Sequence, residues 1–343
     1  MLTKISNDMI KHFLNQSDIN KNLKTDSIRE IYDTLLQNSY HNSELNIHRL
    51  KMNFPFTPFV AKSLSKKIEK NKKVLYVKWI TYSKYKIENN LYIYLDDYNK
   101  IPNIELLVES ISFMTSYSNH DHSFKIHLSL LNDKKIIRKN QKKLTRLNIN
   151  SGSNKFNHYE SEICIFRKEE CIKVIFHEII HGLHFSRFKN DTKITGRLCH
   201  KYNLESENIL LEESYTEFWA KIFNCVFISS LSNDNKFQNF CLLLSIEIVF
   251  SIYQANKIKK LIKKMKDKNI DKDTNVSAYF LVVSELFCDI DNFLKLCNNE
   301  VYVNDYDKYL DYFHNLDKCK NKKINEKDKF YNTMRMSVSE LKI

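Results

Sequence analysis

The chain has 343 residues, of which 43% are hydrophobic and 13% aromatic, ample material for a buried core, so a wholly disordered protein is excluded. Its formal net charge of +13 reflects 54 Lys+Arg against 41 Asp+Glu, a surplus that can attract nucleic acid but is scattered beside Asn and Ile rather than gathered in one patch. With 3 Gly and 3 Pro, long flexible linkers and propeller-like repeats are not expected.

Residues 1–72 read as an N-terminal helical segment. Ser27-Ile-Arg-Glu30 forms a capping box, followed by Ile28, Ile31, Tyr32, Leu35 and Leu36 at helical spacing. Pro55 and Pro58 interrupt it, and a Lys-rich helix is expected from Val60. Residues 73–200 change character. Val74–Tyr82 and Leu91–Leu95 are rich in β-branched and aromatic residues and read as strands. Pro102 opens a helical pattern through Ile104, Leu107, Val108, Ile111 and Met114. Phe124–Leu131 alternates as a half-buried strand, a polar stretch containing Ser151-Gly152-Ser153-Asn154 follows, and Glu162–Phe166 is a further short strand. Glu169–Phe185 is helical by pattern. Residues 201–300 read as a helical lobe, strongest near 208–231, 236–265 and 275–297. Residues 301–343 read as a polar tail, its last 25 residues holding a loosely attached helix.

The two densest basic runs, Lys134–Lys143 and Lys257–Lys268, read as solvated faces. Most of the eight Cys sit inside apolar runs and no CxxC pair occurs, so reduced, buried thiols and a cytoplasmic setting are expected. The N-terminus has no apolar signal core, and no apolar run approaches the ~20 residues of a membrane span.

His177-Glu178-Ile179-Ile180-His181 matches H-E-x-x-H. Residues i and i+4 lie one turn apart on one helix face, so both imidazoles can reach a single ion. Glu178, beside the first ligand, is placed to polarise a zinc-bound water. Composition alone predicts roughly 0.03 chance matches. Ile172, Ile175, Phe176, Ile179 and Leu183 form an apolar stripe opposite the two His, as expected of a helix that packs with one face and presents ligands with the other.

A third protein ligand is required. His184 and Arg187 do not fit the spacing of a third His further along the same helix. Leu211-Glu212-Glu213-Ser214-Tyr215-Thr216-Glu217 offers better candidates, with Glu213 and Glu217 at i, i+4 in an otherwise apolar helix. One can bind zinc while the other accepts the free N–H of a ligating His.

These residues resemble the gluzincin group of HExxH zinc metallopeptidases. The resemblance puts the metal ligands at His177, His181 and Glu213, the supporting acid at Glu217 and the catalytic carboxylate at Glu178. Glu212 stands where Asn is common and Glu217 where Asp is common, so Glu212 or Glu217 stays open as the ligand. The blocks at 166–186 and 213–220 are also similar to uncharacterised metallopeptidases of large nucleocytoplasmic DNA viruses. The implied fold is α+β and zincin-like: a small mixed sheet and an active-site helix, followed by a mostly helical C-terminal lobe. The implied substrate-binding edge strand is Glu162–Phe166, with Ile163 and Ile165 facing an extended peptide. Tyr253 and Tyr279 are candidate oxyanion donors from the helical lobe.

The expected function is therefore zinc-dependent peptide hydrolysis with one Zn²⁺ per chain, a peptide or protein substrate and no membrane partner, in host cytoplasm or virion if the chain is viral. Two alternatives belong to other classes. A zinc-binding structural or virion protein without catalysis would hold metal but turn nothing over, and a cleft filled by the N-terminal helices or by residues 320–343 would favour it. A basic nucleic-acid-associated protein would bind with a steep salt dependence.

Overall fold

The computed structural model describes every residue except 16–22, 24, 25, 56, 139, 140, 142, 186–190, 206–208, 266, 267, 269, 271–273, 299, 304 and 321. Arg187 and parts of both basic runs thus lie outside the described residues.

Helices α1 (Lys4–Leu14) and α2 (Asp26–Leu36) open the chain. The stretch expected to be helical then forms two short strands, β1 (His41–Asn42) and β2 (Asn46–Lys51), before α3 (Lys62–Ile68). All six residues of β2 are exposed, so no burial pattern announces it. Its backbone ladder to β3 (Lys73–Tyr82) holds it in place, from Asn46 opposite Lys78 to Lys51 opposite Lys73. Its His, Arg and Lys side chains guard that edge against further pairing.

The sheet continues through β4 (Lys86–Leu95), α4 (Ile104–Thr115) as a crossover, and β5 (His122–Leu131). A one-turn helix α5 (Arg146–Ile149), β6 (Gly152–Phe156) and β7 (Glu160–Arg167) follow. Strand order is β1-β3-β4-β5-β7-β6, with β2 also on β3. β4, β5 and β7 run parallel to their neighbours within that trio, while β3/β4 and β6/β7 are antiparallel. Leu91, Ile126 and Ile163 stand in register across the three central strands and are fully buried.

Helix α6 (Cys171–Gly182) returns over β6 and β7 and packs against α4. Its expected stripe, Ile172, Ile175, Phe176, Ile179 and Leu183, is buried throughout. After α7 (Thr192–Tyr202) come α8 (Leu211–Ser230) and the 29-residue α9 (Lys236–Lys264). A π-helical turn (Ser277–Val282) then runs into α10 (Val283–Cys288), α11 (Ile290–Leu296) and α12 (Tyr306–His314). The architecture is thus mixed α+β, with a mixed open sheet and a helical C-terminal region. By length and composition α9 could cross a membrane, but 78% of its most apolar stretch is buried inside the fold, as in a core helix.

Three expectations need correction. The C-terminal tail is not loosely attached: Met334 to Leu341 are all buried. Backbone bonds tie it to the N-terminus (Thr3 N–H to Glu340 O, 2.9 Å) and to the loop after β5 (Met334 N–H to Lys135 O, 2.8 Å). Arg335 and Glu340 are buried as an ion pair and Ser337 hydrogen-bonds Glu247, pairing that hydropathy cannot reveal. The basic runs are not simply solvated either, because Lys135 and Lys257 are fully buried. Finally, Cys288 and Cys319 form a disulfide, while the other six Cys are buried thiols, as expected.

Candidate metal centre

The motif residues occupy the last two turns of α6, where the helix passes β6 and meets the first turns of α8. His177 and His181 point the same way, and the carboxylate of Glu213 comes between them. His177 Nε2 and His181 Nε2 are 3.3 Å apart. Glu213 Oε2 lies 3.3 Å from the first and 3.4 Å from the second. Among the described residues this is the one group of three or more His, Cys or acidic side chains gathered closely enough for a single ion. Four ligands at the 2.0–2.1 Å bond lengths of zinc, arranged as a tetrahedron, are separated by about 3.3–3.4 Å. The three edges observed match that spacing, so the donor set fits a tetrahedral ion with its fourth position left to a small ligand.

The structure separates the three neighbouring acids of α8. Glu213 sits in the donor triangle. Glu217, one turn deeper and fully buried, accepts from His177 Nδ1 at 3.0 Å, which leaves Nε2 facing the triangle. Glu212 stays at the rim, 4.0 Å from the other ring nitrogen of His181. Glu213 thus stands in the triangle and Glu217 behind His177.

The protonation tendencies follow from this crowding. Burial alone would lower the His177 pKa, but hydrogen bonds to Glu213 and Glu217 outweigh it and raise it to about 9. His181 is raised against burial by Glu213 in the same way. Glu213 is driven well below the usual carboxylate range, since the two imidazoles outweigh its burial. Burial would likewise raise Glu217, yet Lys173 and His177 hold it at about 2. For Glu178 the balance reverses: burial dominates and raises its pKa.

A cavity of about 310 Å³ opens onto the triangle, lined by Glu178 and Tyr279 among others. Of the described residues in 320–343, Met336 reaches its wall, and no described residue of α1 or α2 lines the cleft. Gly152, Ser153, Asn154 and Phe156 of β6 form one side. The expected edge strand is corrected here. β7, with Ile163 and Ile165, is covered by β5 on one side and β6 on the other, and both Ile are fully buried. The outer strand facing the cavity is β6. It grips α6 through Asn154, whose Nδ2 donates to the Glu178 carbonyl at 2.7 Å. Gly152 permits the close approach: a Cβ there would lie 2.7 Å from Glu178 Oε1 and 2.8 Å from Val174 Cγ1. A glycine in a polar stretch ahead of the HExxH helix was the available sequence signal for this wall.

The two tyrosine candidates part company. Tyr279, on the π-helical turn, donates its hydroxyl to Glu213 Oε2 at 2.9 Å and presents its ring to His177 at 5.5 Å. Tyr253 packs on Phe13 of α1 at 5.1 Å, in a separate apolar cluster with Met9, Phe250 and Val338, and does not line the cavity. Tyr253 is a core tyrosine.

Comparison with known proteins adds little to this geometry. No family model matches the chain, and no solved structure does. Over 105 residues it is 26% identical to "Uncharacterized protein R210" of Acanthamoeba polyphaga mimivirus. That match covers 29% of this chain and 26% of the mimivirus protein, so the chain spans well under two thirds of that relative. The likeness supports a relation to proteins of large DNA viruses and no activity.

Proposed function

We propose that the chain is a zinc-dependent peptidase with a zincin-like arrangement of sheet, HExxH helix and helical lobe. The observation that carries the reading is the triangle of His177 Nε2, His181 Nε2 and Glu213 Oε2, with edges of 3.3, 3.3 and 3.4 Å, beside a buried glutamate in an open cavity. These three residues would hold the ion, and Glu217 would keep His177 in the ligating tautomer. When bound, zinc supplies Lewis acidity to a water and to a substrate carbonyl.

The chain's own groups account for the rest. The raised pKa of Glu178 suits a carboxylate that accepts a proton from the attacking water and returns it to the leaving amine. Tyr279 O–H, already at the donor triangle, is placed to donate to the oxygen that gains charge on the substrate. An extended peptide would lie along β6, the strand that walls the cavity, in the role first expected of β7.

Glu178→Gln tests the assignment. The variant is expected to bind zinc as wild type does and to lose roughly 10²–10⁴-fold in the rate of casein hydrolysis. Undiminished hydrolysis in that variant would sink the mechanism. Zinc binding with no hydrolysis by wild type, across a panel of unfolded protein substrates, would favour the inactive structural alternative instead.

A further inference from the structure

Resting on the metal-centre reading, we propose that Lys173 is a positioning residue: its ammonium group clamps Glu217 so that Glu217 orients His177 and stays out of the metal's own ligand set. Lys173 lies four residues before His177, one turn earlier on the same face of α6. Its Nζ donates to both oxygens of Glu217, at 2.7 and 2.8 Å. Glu217 Oε2 in turn takes the N–H of His177 Nδ1 at 3.0 Å. Both partners are closed off from water, with side chains 2% and 0% exposed.

The clamp answers a question the donor triangle raises. Glu213 and Glu217 are equivalent in type, one turn apart on α8, and both approach His177. A buried carboxylate beside a dication is itself a strong ligand. Glu217 is kept from that role because both of its oxygens are already taken by Lys173. The next cation along α8, Lys221, is engaged elsewhere, by Glu247 at 3.3 Å and Ser251 at 2.8 Å. Met336 Sδ, 3.6 Å from Lys173 Nζ, backs the ammonium from the C-terminal segment. With the clamp, two imidazoles and one carboxylate would face the ion; without it, Glu217 is free to turn away from His177, which then loses the acceptor that orients it.

A double-mutant cycle on zinc affinity separates this role from that of a simple brace. Zinc dissociation constants would be measured by competition with a chromophoric chelator for wild type, Lys173→Met, Glu217→Gln and the double variant. The metal-free melting temperature of each would be recorded alongside. Lys173→Met and Glu217→Gln are each expected to weaken zinc binding ~10–100-fold. The double variant is expected to be no weaker than Glu217→Gln, because Lys173 acts only through Glu217. Should Lys173→Met fail to fold, Glu217→Gln and the double variant decide on their own. A double variant more than about fivefold weaker than Glu217→Gln overturns the proposal, as does Glu217→Gln with wild-type affinity. A folded Lys173→Met protein within twofold of wild type (roughly 0.4 kcal/mol) also overturns it, even if its melting temperature falls. Wild type that binds no zinc overturns this proposal and the metal centre together.

Discussion

The two ends of α6 carry buried charge in opposite ways. At its start, each carboxylate has a cation or a set of donors of its own. Glu170, in a left-handed conformation at the helix N-cap (φ 59°), pairs with Lys135 and accepts from the backbone of Met336 at 2.9 Å and Ser337 at 2.5 Å. Arg335 pairs with Glu340 at 2.7 Å, and Glu247 takes Ser337 Oγ at 2.8 Å and Val338 N–H at 2.9 Å. At the other end, Glu213 is met by two imidazoles and a tyrosine hydroxyl, and three lone-pair donors converge on one point. The lesson is that charge matched by its own partners braces a fold, whereas donors aimed at one another leave a place that a cation could take.

The largest effect should come from breaking the brace. Glu170→Ala leaves Lys135 buried without its partner and removes the anchor of the C-terminal segment. A loss of roughly 3–5 kcal/mol in urea unfolding is expected. A loss below about 1 kcal/mol would mean that the tail is held by its apolar contacts instead.

Gly152→Ala probes the boundary between the two kinds of site. Its Cβ would press on Glu178 Oε1, Val174 Cγ1 and Ile165 Cδ1 at 2.7, 2.8 and 2.9 Å. A cost of ~1–3 kcal/mol in stability is expected, with a fall in peptide hydrolysis larger than the stability loss accounts for. Unchanged hydrolysis would show that β6 can move away from Glu178 freely.

Lys257 offers a third arrangement, a buried cation whose Nζ donates to a backbone carbonyl, that of Thr333. Burial lowers its pKa from 10.5 to about 7. Between those values the unfolded chain binds a proton that the folded chain does not, so Lys257 makes stability rise with pH in that window. Lys257→Met should remove this contribution. Its stability advantage over wild type should shrink by about 1.4 kcal/mol per pH unit as pH rises from 7 to 9. A gap independent of pH would mean that Lys257 stays charged in the folded protein.

Part of the candidate site was legible in the sequence, for a physical reason: His177, Glu178, His181, Glu213 and Glu217 lie on two helices with regular apolar faces, so spacing puts the two His on one face and Glu213 and Glu217 on another, while the choice of Glu213 among the acids came from the resemblance. What was hidden had no periodic burial to announce it. β6 reads Gly-Ser-Asn-Lys-Phe and shows no alternation, so its neighbour β7, with buried Ile163 and Ile165, drew the edge-strand assignment. β2 buries nothing. The C-terminal segment is buried by polar pairing rather than by hydrophobic side chains alone. Lys173 looks like any surface lysine until the fold sets Glu217 against it. Tyr253 and Tyr279 were alike by residue type, and the path of α9 against α1 separates them. Cys288 and Cys319 lie 31 residues apart, with no spacing that marks them as a pair.

The measurement that tests the central claim most directly is zinc content per chain, by elemental analysis after equilibration with excess zinc and desalting, for wild type and Glu213→Ala. One zinc in wild type and a small fraction in a folded Glu213→Ala protein is the predicted result. Wild type without zinc, or equal zinc in both proteins, would contradict a centre built from His177, His181 and Glu213.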